Sequence, residues 1–135
     1  MKYSILALLF LTITLFSCKK ENDDAKNSEL TDLTTLSAYN EAIDEGVSII
    51  FFHATWCPKC AAQRPAVEEL IGDTELSTVF FGQVDFEKVS EVVTTANVQG
   101  FPTILFIKNG VEEARFTSQG HSAQKIKDKL LELVD

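Results

Sequence analysis

The chain has 135 residues, with 20 acidic side chains against 12 Lys and Arg, and a formal net charge of −8 at neutral pH. This acidic balance argues against binding to nucleic acid and against electrostatic attachment to anionic lipid. Hydrophobic residues make up 45% of the sequence, which is enough for the core of one ordinary domain. We therefore expect one folded domain and a separate terminal segment.

The terminal segment is an apolar run, SILALLFLTITLF, that follows Lys2 closely. It has the length of the apolar region of a secretory signal peptide and is too short to span a bilayer comfortably. The run ends in LFSC at Cys18, which resembles the lipobox of bacterial lipoproteins, where cleavage before the cysteine frees it for acylation. We expect residues 1–17 to be a lipoprotein signal peptide and Cys18 to carry the lipid.

Residues 18–29 are polar or charged almost throughout, with Ala25 as the single apolar side chain after Cys18. Such a segment buries too little surface to offset the entropy lost on ordering, so it is predicted to be a flexible tether. Together with a lipidated Cys18, it predicts an exported protein anchored to a membrane of the cell envelope, on the periplasmic side or in the outer membrane.

The folded domain is predicted from residue 30 to residue 135. Five apolar residues at helical spacing predict a first helix that ends at Gly46: Leu30, Leu33, Leu36, Tyr39 and Ile43. The run VSIIFFHA at 47–54 is apolar and rich in β-formers, which is typical of a central strand covered on both faces. Residues 57–71 predict a second helix, which ends at Gly72.

The second half of the domain continues the alternation of helices and strands. Asn109-Gly110 is a strong hairpin signal between two apolar segments. In chain order we predict a strand at 77–86, a helix at 87–98, strands at 103–110 and 111–120, and an amphipathic helix at 122–134. The order α-β-α-β-α-β-β-α predicts an α/β fold, with a central mixed sheet flanked by helices on both faces.

Two cysteines stand three positions apart in the segment TWCPKC, as Cys57 and Cys60. A zinc site needs about four ligands, and only His53 and His121 are available to complete one, so we expect no metal. A bridge over two intervening residues removes little entropy from the unfolded chain, which disfavours a purely structural disulfide. Reversible thiol chemistry is the favoured interpretation.

The position of the pair at the start of a helix assigns a role to each thiol. Unpaired amides and the helix dipole favour an anion there, so Cys57 is predicted to be the attacking thiolate and Cys60 the resolving thiol. Pro58 suits the first helical turn because its missing N–H has no partner to lose. Lys59 is either a nearby cation that favours the thiolate or a solvated helix-start lysine.

Four features together resemble the thioredoxin superfamily: TWCPKC, Pro65, the segment VQGFPTILFIKNG, and Gly120 after the hairpin. The resemblance implies a thioredoxin-like fold and a thiol:disulfide oxidoreductase, with no cofactor beyond the Cys57-Cys60 pair. It also implies that protein thiols and disulfides are the substrates.

The resemblance extends to the residues around the thiols. It implies that Trp56 shields the nucleophile and offers a flat apolar contact to substrate, with an ordinary core aromatic as the alternative. It further implies that the Phe101-Pro102 bond is cis, faces the CxxC motif and presents backbone groups to an extended substrate.

Two positions depart from the family pattern. Phe51 stands where the family has a buried acid, and Gln83 where a lysine often accompanies that acid, so both charges of the pair are absent. The acid is thought to help deprotonate the resolving thiol, and its loss predicts slower resolution by Cys60. His53 is either a substitute proton acceptor, since histidine titrates near pH 6.5, or a histidine partly buried at the strand end.

The sequence thus predicts a membrane-anchored thioredoxin-like lipoprotein, acting as a monomer on exported proteins. Resemblance to tethered thioredoxin-like proteins favours a reductant over an oxidant, which requires a membrane redox partner as electron donor. The alternative is a client-binding or chaperone-like module on the same fold, without efficient redox turnover.

Overall fold

The computed structural model describes residues 29–135. The expected signal peptide at 1–17, the lipidated Cys18 and the tether therefore lie outside the described residues, apart from Glu29. The sheet strands are β1 (Thr31–Asp32), β2 (Val47–His53), β3 (Val79–Asp85), β4 (Thr103–Lys108) and β5 (Val111–Thr117). The helices are α1 (Leu36–Asp44), α2 (Pro58–Glu68), α3 (Ser90–Thr95) and α4 (Ala123–Val134), with a short 3-10 turn at Thr74–Leu76.

The strands form one five-stranded sheet in the order β1-β3-β2-β4-β5. β1 and β2 both run parallel to β3, whereas β4 is antiparallel to β2 and β5 is antiparallel to β4. The predicted mixed sheet flanked by helices is confirmed. β2 lies at the centre, and all seven of its residues are buried.

Alternate residues of β2 serve two separate cores, as the two-residue period of a strand requires. Ile49 and Phe51 face the core shared with α2 and α4, while Ile50 and Phe52 face the core shared with α1 and α3. The unbroken apolar run in the sequence follows from this, since neither face of β2 meets solvent. The strand that leads into the CxxC motif is therefore held from both sides.

The first helix is shorter than predicted, because it begins at Leu36 and not at Leu30. The residues before it form β1, a strand missing from the predicted order, in which Thr31 pairs with Gly82. The Thr35 side chain accepts a hydrogen bond from the Ala38 amide at 3.1 Å and caps the helix there. Leu30 and Leu33 are nonetheless buried, so their apolar character reports burial and not helix.

The third helix is also shorter than the predicted 87–98 and covers only Ser90–Thr95. The hairpin prediction is confirmed: Asn109 and Gly110 both have positive φ, 50° and 78°, as the tight turn between β4 and β5 requires. The Asn109 side chain accepts a hydrogen bond from the Gly46 amide at 2.9 Å, which ties this turn to the end of α1.

We predict that α4 stabilises the domain through Ile126, which is fully buried in the core beneath it. Ile126→Ala should lower the free energy of unfolding by about 2–5 kcal/mol, because it removes buried methyl groups and leaves a cavity. Gln124→Ala, at an exposed position of the same helix, is the control and should stay within about 0.5 kcal/mol of the parent. Urea unfolding of both variants measures the difference, and equal losses would contradict this packing.

Candidate active site

The two thiols lie where β2 ends and α2 begins. Cys57 is the N-cap of α2 and Pro58 is its first residue, as the sequence predicts. Cys57 and Cys60 form a disulfide with 5.2 Å between their Cα atoms. The Cys57 sulfur also accepts a hydrogen bond from the Cys60 amide at 3.1 Å. The Cys57 sulfur is thus held against the unpaired amides of a helix start, the environment that stabilises a thiolate.

Both cysteines are shielded from solvent, with 7% of Cys57 and 3% of Cys60 exposed. Lys59, between them, is exposed on the first turn of α2. Trp56 is 63% exposed, so it is not an ordinary core aromatic. It offers a flat apolar surface directly beside Cys57 in the chain.

The loop that ends at Pro102 lies at the same end of the sheet as the CxxC motif. The Phe101–Pro102 peptide bond is cis, as the resemblance implied. Thr103 follows it and pairs with Phe52 near the carboxyl end of β2, so the loop faces the segment that carries Cys57. The Thr103 hydroxyl donates a hydrogen bond to the Gly100 carbonyl at 2.8 Å and holds the loop in shape.

Phe86 and Glu87, which follow β3, contact both the segment before Cys57 and the cis-proline loop. No pattern in the sequence indicates these contacts. The Phe86 ring lies 5.2 Å from the Phe101 ring, and the Phe86 amide donates to the His53 carbonyl at 2.9 Å. Glu87 accepts hydrogen bonds from both the amide and the hydroxyl of Thr55. These contacts hold the segment that leads from β2 to the CxxC motif. They also place a second exposed aromatic residue, Phe86, near that segment.

A pocket of about 270 Å³ opens beside the disulfide. It is lined by His53, Ala54, Thr55, Cys57, Cys60, Ala61 and Arg64. The structure therefore brings His53 together with both cysteines, which sequence spacing alone left open. It also adds Arg64, a residue that sequence reasoning did not select.

Comparison with known proteins decides the family. The Thioredoxin family model matches residues 30–132. The chain belongs to the thioredoxin family. Thioredoxin-2 of Saccharomyces cerevisiae is 32% identical over 98 residues, which cover 71% of this chain and 92% of that protein.

Solved thioredoxins share the fold. The thioredoxin of Fasciola hepatica is 28% identical with a TM-score of 0.65, covering 77% of this chain and 99% of that one. A mutant thioredoxin from Halobacterium salinarum has a TM-score of 0.71 at 19% identity, covering 80% of this chain and 93% of that one. Thioredoxins are thiol-disulfide oxidoreductases, and Cys57 and Cys60 occupy the active-site position of this one.

The departures from the thioredoxin pattern lie beneath the disulfide. The Phe51 side chain, in place of the acid, is fully buried and stacks on the His53 ring, with 5.6 Å between the ring centres. The Arg64 guanidinium also lies over the Phe51 ring, 5.1 Å from its centre. Gln83 accepts a hydrogen bond from Arg64 at 2.8 Å. The family's lysine is therefore absent from β3, but α2 supplies a positive charge from Arg64.

His53 is buried at the end of β2, and its Nε2 atom has no hydrogen-bond partner within residues 29–135. Burial holds the pKa of His53 below its ordinary value of 6.5, and the charge of Arg64 lowers that pKa further. Asp85 and Asp32 oppose the shift without cancelling it. The imidazole is therefore predominantly neutral near pH 7.

His121, which the sequence offered only as a possible zinc ligand, is half-buried. Its amide donates to the Gln63 side chain at 3.0 Å, its carbonyl accepts from that side chain at 2.7 Å, and its ring stacks on Phe116. In the part of the chain that the structure covers, no group of three or more His, Cys, Asp or Glu side chains forms a metal site. Nor is any helix there long and apolar enough to cross a membrane.

We predict that His53 makes the stability of the fold depend on pH. Well above pH 6.5 the imidazole is neutral in both the folded and the unfolded chain. As the pH falls through 6.5 towards the lower folded-state pKa, the unfolded chain binds the proton first, so stability is lost. Urea unfolding at pH 7.5 and 5.5, values chosen about one unit either side of an ordinary histidine pKa, should show a smaller loss in His53→Gln. Equal losses in the two proteins would count against a buried neutral imidazole.

Proposed function

We propose that this thioredoxin is a lipid-anchored protein-disulfide reductase that acts on exported proteins, with Cys57 as the attacking thiol and Cys60 as the resolving thiol. The observation that carries the proposal is the hydrogen bond from the Cys60 amide to the Cys57 sulfur at the start of α2. In the reduced protein, the same amide and the helix dipole stabilise a thiolate on Cys57.

The reaction passes through a mixed disulfide. The Cys57 thiolate attacks one sulfur of the substrate disulfide, a new S–S bond forms, and the second substrate sulfur leaves as a thiolate that takes up a proton. Cys60 then loses its proton and attacks the Cys57 sulfur, which releases the first substrate sulfur. The substrate gains two electrons and two protons, and Cys57 and Cys60 end as a disulfide.

His53 is the proposed acceptor of the Cys60 proton. It lines the same pocket as Cys60, and its lowered pKa leaves the ring unprotonated near neutral pH. Its buried Nε2 has no protein partner among residues 29–135, so no existing hydrogen bond competes for a proton there. This role replaces that of the family's acid, for which Phe51 offers no basic atom.

Substrate is proposed to bind across the exposed aromatic surface formed by Trp56, Phe86 and Phe101, beside the cis-proline loop. Trp56 and Phe86 are among the exposed large hydrophobic residues of the described chain. Such rings give apolar contact at little entropic cost, which suits a surface that receives extended and varied peptides. Backbone groups near Pro102 would align the substrate disulfide with Cys57.

The reducing direction and the location at the cell envelope rest on the sequence. An anchor at Cys18 would place the domain in an oxidising compartment, where a reductant must be recharged by a membrane-bound dithiol donor. A single domain with one reactive pair requires no second copy for this cycle, so it is proposed to work as a monomer.

The absence of an acid at Phe51 favours a second candidate, a client-binding module that forms disulfides poorly or not at all. It would use the same aromatic surface and would not need the thiols. The two candidates differ in whether capture of a substrate depends on Cys57.

We predict that Cys60→Ser will trap substrate, because it removes the thiol that resolves the mixed disulfide. The test uses the full chain with Cys18→Ser, mixed with a fluorescent peptide that contains one disulfide, followed by acid quench and a non-reducing gel. The reductase account expects a stable covalent adduct with Cys60→Ser and none with Cys57→Ser. Equal binding of the peptide by both variants in a non-denaturing fluorescence anisotropy measurement, with no covalent adduct on the gel, would instead support the client-binding module.

A further inference from the structure

Resolution requires a thiolate on Cys60, yet the side chain beneath the disulfide is a phenyl ring and not a carboxylate. We propose that Arg64 stabilises the Cys60 thiolate and so accelerates resolution of the mixed disulfide, an inference that rests on the proposed reductase cycle. Arg64 would act through its positive charge, which lies near Cys60, while His53 takes the proton from Cys60.

The helix places Arg64 correctly for this role. Residues four apart on an α-helix share a face, and helical side chains lean towards the helix N-terminus. Arg64 stands four residues after Cys60 on α2, so its side chain leans towards the turn that carries the sulfur. Both residues line the pocket beside the disulfide, which confirms that they share one space.

Three contacts hold the guanidinium over the pocket. It lies on the face of Phe51, 5.1 Å from the ring centre, where the aromatic quadrupole attracts a cation. Gln83 accepts a hydrogen bond from its Nη1 atom at 2.8 Å, and Gln83 in turn donates to Asp32 at 2.8 Å. Glu68 accepts from the same Nη1 atom at 3.1 Å.

The partners of Arg64 do not neutralise its positive charge, which can therefore act on Cys60. Phe51 and Gln83 are neutral, so they fix the guanidinium without cancelling it. Glu68 is the direct ionic partner, but its side chain is 37% exposed, and ion pairs of this kind are screened by solvent. An acid at the position of Phe51 would pair with Arg64 and remove most of its effect on Cys60.

The acidic groups near the pocket are bound to partners other than Cys60. Glu87 accepts hydrogen bonds from the amide and the hydroxyl of Thr55. Asp85 accepts a hydrogen bond from the Glu87 amide at 3.0 Å and lies 3.7 Å from the Lys88 ammonium. Asp32 is bound to Gln83. His53 is held neutral by burial and by Arg64 itself. Among the groups that line the pocket, Arg64 is therefore the one with a full positive charge near neutral pH.

Resolution moves one proton and two electron pairs. The Cys60 S–H bond breaks and its proton passes to the neutral imidazole of His53. The electron pair left on Cys60, stabilised by Arg64, forms the bond to the Cys57 sulfur, and the Cys57–substrate S–S bond breaks. The substrate sulfur leaves with that electron pair and recovers a proton from His53 or from water.

The test measures resolution in single turnovers of the full chain with Cys18→Ser, using the fluorescent peptide disulfide. Acid quench and alkylation separate the reduced protein, the mixed disulfide and the oxidised protein at each time and pH. Arg64→Gln should slow resolution by about tenfold at neutral pH and raise its pH midpoint, because a nearby opposite charge shifts a titration by about one unit or more. Arg64→Lys should recover most of the rate.

Two controls keep the inference distinguishable from the proposed function. Lys108→Gln removes a positive charge at the other end of the sheet, opposite Val47, and should leave both steps unchanged. Gln83→Met frees the guanidinium without removing it and should slow resolution in the same direction by less. It also keeps the inference testable if Arg64→Gln fails to fold.

The measurements distinguish failure of the Arg64 role from failure of the reductase cycle. If mixed disulfides form through Cys57 but resolve at the same rate and pH midpoint in Arg64→Gln as in the parent, Arg64 has no such role and the reductase cycle stands. If no variant ever forms a mixed disulfide, the proposed function itself fails.

Discussion

The chemistry of this protein depends on one hydrogen bond, from the Cys60 amide to the Cys57 sulfur at the start of α2. It holds one sulfur where the helix favours negative charge and leaves the other one turn deeper. The position of Cys57 depends on β2, the strand that precedes it, and β2 is buried along its whole length. Glu87 then fixes Thr55 in the loop between β2 and Cys57. The buried strand β2 and the Glu87 contact thus hold the short segment that carries the two cysteines.

The space beneath the disulfide departs from the thioredoxin pattern in its charge. A carboxylate there would disfavour a thiolate on Cys60 while acting as a base. In the proposed cycle, the combination of Phe51, His53 and Arg64 separates these functions, with the neutral ring of His53 as the base and the cation of Arg64 as electrostatic support. The same cation stabilises the reduced form of the pair, and a stabilised reduced form makes a disulfide more oxidising. In that cycle, faster resolution is linked to a weaker reductant, which strengthens the need for the proposed electron donor.

The sequence predicted the sheet, the helical layers and the place of the cysteines, because these follow from apolar patterns, the CxxC spacing and the Asn109-Gly110 turn. It misplaced the start of α1 because the spacing of Leu30 and Leu33 fits a helix as well as a two-residue strand with buried flanks. The sequence did not indicate Arg64 and Glu87, because their roles arise from contacts between segments that are distant in the chain. Arg64 looks like a solvated helix residue until Phe51 lies beneath it, and Glu87 contacts a threonine 32 residues away.

The central claim, that Cys57 and Cys60 form a reversible redox couple, is tested most directly by their reduction potential. The full chain with Cys18→Ser, in mild detergent, would be equilibrated in dithiothreitol and glutathione buffers, and the free thiols trapped and counted. We expect a single two-electron transition, with a potential nearer to about −270 mV, as in thioredoxin, than to about −120 mV, as in a strong oxidant. If the two thiols showed no reversible two-electron couple, the oxidoreductase account would be contradicted.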